Sequence, residues 1–370
     1  MLTEEKEISD SSAKARAGKR RNVDASPGRI SVLASLMEKQ INGSIKAIGN
    51  INLQTKLLAT NGQVEASRSG ENGRAFSVIA EEMISLAGKT SQVAHGLISE
   101  TKAALSELLE ISDELGKSVL GTRLSDLALN NIDLVDRNLY ERTCDVRWWA
   151  TDSSVVTAAA SGQPDDCNYA SRRMGVILDA YTVYYDLVLC DTKGNVIANG
   201  RPNEYDSVRK NQADAEWFQA VINSISGNEY GFQSVHSSEL VNGENVLIYS
   251  CSVREGGEAT GRIVGVLGIL FRYDDLAQVI VKNTSLTEEE KKITRVCFTN
   301  GDRLVIADTQ DRILEDTVDF EGVVKMLNSS KSYQIAKVRG KDCIVAHAKA
   351  PGFETYTTGW HSFIIQQIEV

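Results

Sequence analysis

Histidine is scarce in this sequence, which has four histidines and four prolines among its 370 residues. Histidine is the usual side chain for acid–base catalysis near neutral pH and a frequent metal ligand, so its scarcity disfavours both kinds of site. The histidines are far apart in the chain, and we expect each to be isolated at the surface or capped: His95, His236, His347 and His361. No Ser/His/Asp, Cys/His or paired-carboxylate set stands out. The sequence therefore predicts no catalytic residues, no metal, no cofactor and no enzymatic activity.

Long apolar runs are also lacking. The longest, residues 263–271, is interrupted by glycines and is much shorter than the roughly 20 residues that a membrane-spanning helix needs. The first ten residues are polar and acidic, unlike the basic and then apolar start of a secretory signal. A net charge of −10 disfavours nucleic acid and anionic membranes, whose phosphate groups repel an acidic surface. We therefore expect a cytoplasmic protein with no membrane span and no nucleic-acid partner.

The six cysteines are scattered singly, with no C-x-x-C pair and no zinc-binding spacing. In a reducing compartment they are expected to be free thiols in or near the core. Cys144 precedes Arg147 by one helical turn and is the candidate for a reactive thiol, because a nearby cation favours the thiolate. A buried, inert thiol is the favoured interpretation at this position.

Composition changes near the middle of the chain. The first part, up to about residue 150, has one proline and a nearly continuous helical pattern, whereas the rest carries most of the glycine, tyrosine and asparagine. The sequence predicts an α+β chain, in which a long antiparallel coiled-coil hairpin and a stalk helix precede two antiparallel-sheet modules. The predicted boundaries are a mixed-charge, disordered tail at 1–28, the hairpin at 29–117, the stalk helix at 118–158, and the sheet modules at 159–285 and 286–370.

The helical part contains a heptad pattern. Steps of three and four residues, the spacing of a coiled-coil seam, connect Phe76, Ile79, Met83, Leu86, Thr90, Val93 and Leu97. Segment 67–74 has two glycines, Gly70 and Gly73, and predicts a reversal of direction. The helical pattern on both sides of this reversal therefore predicts an antiparallel hairpin.

A further helical pattern extends from residue 124 to about residue 156. Its packed face is predicted to be Leu124, Leu127, Asn131, Leu134, Asn138 and Glu141. Near its end, Trp148 and Trp149 are adjacent and would point about 100° apart on a helix, so at least one should contact the following domain.

The second half shows short apolar runs separated by turn signals. A strand–turn–strand unit at 187–198 recurs at 296–306, and further strands are predicted at 245–253, 262–271, 341–349 and 360–367. Gly256 and Gly261 imitate a phosphate-binding loop, but no Lys-Ser/Thr pair follows, so we interpret this segment as a hairpin turn. The recurring unit predicts a duplicated sheet module.

Particular polar residues stand around the predicted hairpin turn. Within 51–90 they and their neighbours include Gln54, Thr55, Leu58, Ala59, Asn61, Glu65, Ala66, Arg68, Gly70, Glu71, Gly73, Arg74 and Phe76. In this order they resemble the signalling tip of methyl-accepting chemotaxis proteins. The resemblance implies a homodimer whose hairpins form a four-helix bundle, trimers of such dimers, and a tip that docks the chemotaxis histidine kinase CheA and the coupling adaptor CheW.

The same resemblance assigns roles to residues of the tip. The kinase- and adaptor-binding positions are Glu71, Arg74 and Val78, and the trimer contacts are Leu53, Leu57, Asn61, Glu65 and Arg68.

Several tip residues differ from the family pattern, which more often has Asn, Leu, Ala, Ala and Gly at the positions of Lys56, Thr60, Gly62, Gln63 and Ala75. Thr60 removes apolar contact from the trimer seam, and Gly62 within a helix costs up to ~1 kcal/mol relative to alanine. The paired Glu/Gln residues of methylation sites are also missing.

The second half resembles a double Cache domain, with two PAS-like sheets on one long helix. The resemblance is carried by residues 185–191, 216–218, 227–230, 263–271 and 351–367. It implies a small-molecule ligand. Trp217 is expected either to stack on that ligand or to fill the core. Arg201 and Arg254 would suit an anionic ligand, because guanidinium groups bind carboxylates in pairs of hydrogen bonds, or are surface arginines near turns. Tyr230 is the remaining candidate.

Two functions are compatible with the sequence. In the first, the protein is a chemoreceptor-like signal transducer whose Cache part senses a ligand and modulates the kinase through the tip. In the second, it is a non-catalytic scaffold or decoy that joins receptor–kinase complexes without controlling the kinase, which the altered tip residues favour. A ligand effect on kinase activity would distinguish them.

Overall fold

The computed structural model describes residues 27–368, so the predicted tail lies almost wholly outside the described residues. The chain divides into two compact units between Val119 and Leu120, and we call them the hairpin unit and the sheet unit. Within residues 27–368, no helix combines the length and the apolar character needed to cross a bilayer.

Two long helices build the hairpin unit. Helix α1 (Pro27–Arg68) is followed by a short 3₁₀ helix (Gly70–Gly73) and by helix α2 (Arg74–Trp149). The two arms are antiparallel, since Ile45 and Leu97 line the same small cavity far from the turn. The predicted hairpin and the position of its reversal are confirmed.

Alanines form the contact between the two arms. Ala59 and Ala66 on α1, and Ala80, Ala87 and Ala94 on α2, are at most 9% exposed and recur every seven residues on each arm. The larger residues predicted for the seam are mostly exposed, and we call these the outer stripe: Phe76 (69%), Ile79 (57%), Leu86 (62%), Val93 (71%) and Leu97 (52%). The predicted period is confirmed, but within the single chain the arms meet on a face one residue away from the predicted seam. A shift of one residue turns a side chain by about 100°, and small alanines let the arms approach closely.

The last part of α2 belongs to the sheet unit, and its buried face agrees with the predicted one only in part, at Leu124 and Asn131. Six of its side chains are fully buried: Leu124, Ala128, Ile132, Val135, Leu139 and Val146. Leu134, which was predicted to pack, is 54% exposed. The helix also ends earlier than predicted, because Asp152 caps a new helix, α3 (Ser153–Ser161), by accepting a hydrogen bond from the Ser154 N–H at 2.9 Å.

The two adjacent tryptophans at the end of α2 behave as expected. Trp149 is buried and packs edge-on against Tyr181 and Tyr184, with ring centroids 5.3 and 5.4 Å away. Trp148 is 70% exposed.

Two antiparallel five-stranded sheets follow helix α4 (Pro164–Ala180). The first contains β1 (Tyr184–Asp191), β2 (Val196–Asn199), β3 (Gly231–Ser238), β4 (Glu244–Arg254) and β5 (Ile263–Arg272). The second contains β6 (Thr294–Thr299), β7 (Val305–Asp308), β8 (Lys331–Val338), β9 (Lys341–Lys349) and β10 (His361–Gln367). Their strand orders, β2-β1-β5-β4-β3 and β7-β6-β10-β9-β8, are equivalent. The predicted duplication is confirmed.

Short helices complete the sheet unit: α5 (Glu216–Ile222), α6 (Tyr273–Lys282), α7 (Glu288–Ile293) and α8 (Val323–Leu327). Side chains from both sheets and from α2, α3 and α4 share one large core. Each sheet also has a smaller core of its own, formed with α5 in the first module and with α8 in the second. The segment around Gly256, which has a φ of 71°, is a turn between β4 and β5, as predicted.

Candidate functional site

The hairpin turn depends on two glycines. Gly70 has a φ of +61°, a conformation that side chains disfavour. A Cβ on Gly73 would lie 2.0 Å from the carbonyl oxygen of Ala66, so no other residue fits there without moving the backbone. The sequence signal that predicted the reversal therefore has a steric basis.

The residues assigned to partner contacts surround this turn and are exposed. Glu71, Arg74 and Val78 follow the turn, and the trimer-contact positions lie on α1 before it: Leu53, Leu57, Asn61, Glu65 and Arg68. Leu53, Leu57 and Val78 are 60%, 58% and 61% exposed. Grouped apolar residues on a surface typically mark protein interaction sites. The roles of these residues in binding partners remain predictions, because the structure describes a single chain.

Charge within the tip contributes little to its stability. Glu65 and Arg68 form an ion pair of 3.5 Å with side chains 71% and 75% exposed, and such surface pairs are typically worth under about 1 kcal/mol. Both side chains therefore remain available to a partner.

Two of the altered tip residues have clear local environments. The Thr60 hydroxyl donates to the Lys56 carbonyl at 2.8 Å, so its polar group is satisfied within the helix. Gly62 faces Ala80, and a Cβ there would lie 4.0 Å from the Ala80 Cβ. Alanine would fit at this position in ordinary van der Waals contact.

Trp217 fills the core of the first module. It is fully buried and lies edge-on to Phe218. Its ring is packed so closely on Gly268 that a Cβ added to that glycine would lie 2.9 Å from a ring carbon. Its carbonyl accepts a hydrogen bond from the buried Ser250 hydroxyl. These contacts favour the core-filling interpretation of this tryptophan.

Arg201 is engaged by its own neighbours. Its guanidinium donates to the Leu178 carbonyl at 3.1 Å and forms ion pairs of 3.4 Å with Asp179 and Glu204. Its backbone N–H donates to the buried carboxylate of Asp186. The Arg201 side chain is therefore already paired with neighbouring groups of the protein.

Arg254 is 6% exposed, which corrects the alternative of a surface arginine near a turn. Its guanidinium donates to the Gly261 carbonyl at 2.8 Å and to the Ser224 carbonyl at 2.6 Å. It also lines a cavity of about 240 Å³ together with Arg147 and Trp148. The Arg147 guanidinium lies 5.8 Å from the ring centroid of Tyr230. Arg254 and Tyr230 are thus both neighbours of Arg147, whereas Trp217 and Arg201 have other surroundings.

The histidines at the end of the chain are not isolated, contrary to the prediction. His347 on β9 and His361 on β10 are buried, and their Nε2 and Nδ1 atoms are 2.8 Å apart. Burial lowers the pKa of His347 to about 3 and that of His361 to about 4, so both rings are neutral at pH 7. The contact between the two histidines could be found only from the pairing of β9 with β10. In that register His347 is opposite Phe363, two residues along β10 from His361.

The cysteine expectation holds for five thiols, which are buried and free: Cys167, Cys190, Cys251, Cys297 and Cys343. Cys144 is exposed, which corrects its favoured interpretation as a buried thiol. Its sulfur lies 3.6 Å from Nη2 of Arg147. Among residues 27–368 there is no group of His, Cys, Asp or Glu side chains that could hold a metal ion.

Comparison with protein families finds a similarity that includes the hairpin. The family described as "Methyl-accepting chemotaxis protein (MCP) signalling domain" matches residues 5–124. This part of the chain is therefore similar to the signalling domain of methyl-accepting chemotaxis proteins. Methyl-accepting chemotaxis protein McpP of Pseudomonas putida is 36% identical over 156 residues, which are 38% of this chain and 29% of McpP. The match thus spans less than a third of that relative's length.

Solved structures show the fold of the part that follows the hairpin. The sensor domain of the Vibrio cholerae histidine kinase DctB has a TM-score of 0.53 and 13% identity, over 68% of this chain and 99% of that one. The ligand-binding domain of the Campylobacter jejuni chemoreceptor Tlp3, in complex with 4-methylisoleucine, has a TM-score of 0.52 and 14% identity, over 68% and 92%. The fold is therefore that of these sensor domains, which confirms the resemblance to two PAS-like sheets.

Proposed function

We propose that this protein is a chemoreceptor-type signal transducer, in which a small molecule bound by the sheet unit changes the activity of the histidine kinase CheA through the hairpin tip. The observation that carries the proposal is the tip itself. Its turn is fixed by Gly70 and Gly73, and Glu71, Arg74 and Val78 beside it are exposed. The match of the surrounding residues to the chemotaxis signalling domain supports a kinase and its adaptor CheW as the partners.

The outer stripe supports a homodimer. Its five large apolar side chains are each more than half exposed in the single chain, although their spacing is that of a coiled-coil seam. A second hairpin packed against this stripe would bury them in a four-helix bundle, and the exposed trimer-contact residues would then remain free for assembly of dimers.

Helix α2 is the proposed path of the signal. It supplies one arm of the hairpin, and its later residues Leu124, Ile132 and Leu139 are fully buried in the shared core of the sheet unit. A ligand that favours one packing of that core would bias the helix, and an allosteric coupling of ~1–3 kcal/mol would change kinase activity several-fold or more.

The first experiment tests the tip by co-sedimentation of the full chain with CheA and CheW. The variant Glu71→Ala/Arg74→Ala is expected to lose most binding. The matched control is Glu38→Ala/Lys39→Ala, which also removes one exposed acid and one exposed base but lies ~45 Å along α1 from Glu71, at 1.5 Å per residue. Failure of the wild-type chain to bind would remove the main support for the proposal.

A scaffold or decoy remains the second candidate, and it is favoured by the altered residues Thr60 and Gly62 in the tip. The two functions differ in kinase activity rather than in binding. A transducer changes the rate of CheA autophosphorylation when a ligand of the sheet unit is added, whereas a scaffold binds the kinase and leaves that rate unchanged.

A further inference from the structure

Four cationic side chains converge on a cavity of about 210 Å³ in the second sheet module. Arg295 comes from β6, Arg312 from the segment after β7, Arg339 from the β8–β9 turn and Lys341 from β9. The residues lining the cavity include no carboxylate. Cations brought together from four segments repel one another, so this arrangement favours an anion between them.

Two carboxylates behind the lining neutralise only part of this charge. Arg295 donates to Asp308 at 2.9 and 2.7 Å and contacts Asp316 at 2.8 Å. Asp316 also pairs with Arg339 at 2.5 Å. Asp308 is fully buried, so it is not itself open to a ligand. Four cations against two carboxylates leave a formal charge of +2.

The surplus lies on Arg312 and Lys341. Within residues 27–368, Arg312 is half-buried and takes part in no ion pair or side-chain hydrogen bond. Lys341 donates to the neutral amide oxygen of Gln367 at 3.0 Å. Neither cation therefore has a counter-charge in the described part of the chain.

Arg339 occupies a backbone position that arginine disfavours. Its φ is +53° and that of the next residue, Gly340, is +80°. Two-residue hairpin turns of this kind prefer Asn-Gly, because asparagine tolerates a positive φ better than longer side chains do. The arginine adds a guanidinium to the lining of the cavity, where asparagine would bring no charge.

We propose that this cavity binds a small dianion, such as a dicarboxylate or a phosphate group. Guanidinium groups bind carboxylate and phosphate oxygens in pairs of hydrogen bonds, and Arg312 is free to do so. Val338, Cys343 and Ile365 line the cavity as well and suit a short carbon chain. The site is separate from the four predicted ligand residues, which all lie in the first module, and its occupancy does not depend on the kinase.

Isothermal titration calorimetry on the full chain tests the proposal with inorganic phosphate, succinate and, as a monoanion, acetate. At least one dianion is expected to bind with a dissociation constant below about 1 mM, and acetate at least about tenfold more weakly. Preference for phosphate or for succinate identifies the class of ligand. Absence of binding by both dianions at concentrations of about 10 mM overturns the proposal.

Variants locate the binding. Arg312→Gln and Arg339→Asn are each expected to weaken binding of the dianion at least about tenfold. Arg303→Asn is the matched control for Arg339, because Arg303 also has a positive φ, of 70°, and one ion pair, to Asp319 at 2.8 Å, but does not line the cavity. Equal weakening by Arg303→Asn would overturn the assignment. Unchanged tryptophan fluorescence of each variant verifies that the sheet unit is folded.

Discussion

The two units of this protein treat their large apolar side chains in opposite ways. In the hairpin unit the arms meet through alanines, and the outer stripe of larger residues is exposed. In the sheet unit many of the largest side chains are buried, among them Trp217, Tyr249 and Phe363 at 0% exposure, although Trp148 is exposed. If the proposed dimer forms, the hairpin gains much of its burial from a second chain, whereas the sheet unit has a large core of its own. The difference indicates that assembly with other chains is to be tested in the hairpin unit and internal packing in the sheet unit.

The largest expected effect comes from removing a large side chain of the sheet unit, and its contrast is the same kind of change in the hairpin unit. Trp217→Ala should destabilise the sheet unit by about 3–5 kcal/mol, because it leaves a cavity in a closed core. Phe76→Ala, at a residue 69% exposed, should change the stability of a single chain by less than about 0.5 kcal/mol and instead weaken self-association.

All four tryptophans, Trp148, Trp149, Trp217 and Trp360, lie in the sheet unit, so the urea dependence of their fluorescence reports on that unit. Because Trp217→Ala removes one of these reporters, circular dichroism should accompany the measurement. Sedimentation equilibrium measures the association. A Phe76→Ala protein that unfolds as readily as Trp217→Ala would contradict the comparison.

Acid should act on the sheet unit through the pair of His347 and His361. Their pKa values are lowered to about 3 and 4 from an unfolded value near 6.5, so the unfolded chain binds more protons as pH falls below 6.5. Stability is fully present above pH 6.5 and falls by about 2 kcal/mol per histidine at pH 5. Asp186, whose pKa burial raises to about 6, opposes this by about 1 kcal/mol, because the folded state takes up its proton first.

Urea midpoints at pH 8 and pH 5 measure this loss. The variant His347→Leu/His361→Leu should flatten the profile between these values, even if its stability at pH 8 differs. An unflattened profile would show that other groups dominate the acid response.

The histidine pair illustrates which features sequence reasoning reaches. Runs such as β5 and β9 were predicted closely, because apolar strands between turns are a local signal. The edge strands β3 and β8 were not predicted; in β8, half-buried residues alternate with exposed ones and give a weak pattern. A contact between His347 and His361 depends on the register of β9 and β10, which no local pattern encodes.

The candidate sites divide in the same way. The turn of the hairpin was predictable, since its glycines and its heptads are local, although the arms meet on a face one residue away from the predicted seam. The surroundings of the candidate ligand residues could not be predicted, because the direction of Trp217 and the partners of Arg201 depend on neighbours distant in sequence.

Changes at the hairpin turn should have a smaller effect. Gly73→Ala is expected to cost on the order of 1–3 kcal/mol, because its Cβ would overlap the backbone of Ala66 at 2.0 Å. It should also weaken co-sedimentation with CheA and CheW while leaving Glu71 and Arg74 in place. Gly88→Ala, in the same helix with nothing within 4 Å of the added Cβ, is the control and should be stabilising. Equal melting temperatures of the two variants, followed by circular dichroism, would contradict the steric argument.

The smallest effect is expected at Gly62, where the hairpin departs from the family and where there is room for a methyl group. Gly62→Ala should stabilise the hairpin by up to ~1 kcal/mol through helix propensity, and its Cβ would contact Ala80 at 4.0 Å. Gly49→Ala, with nothing within 4 Å of its added Cβ, gives the propensity contribution alone, so the difference between the two measures packing in the seam. If the glycine tunes signalling by loosening the arm, Gly62→Ala will change the kinase response while Gly49→Ala does not. An unchanged response with higher stability would instead make Gly62 a tolerated weakness of a hairpin that its partners stabilise.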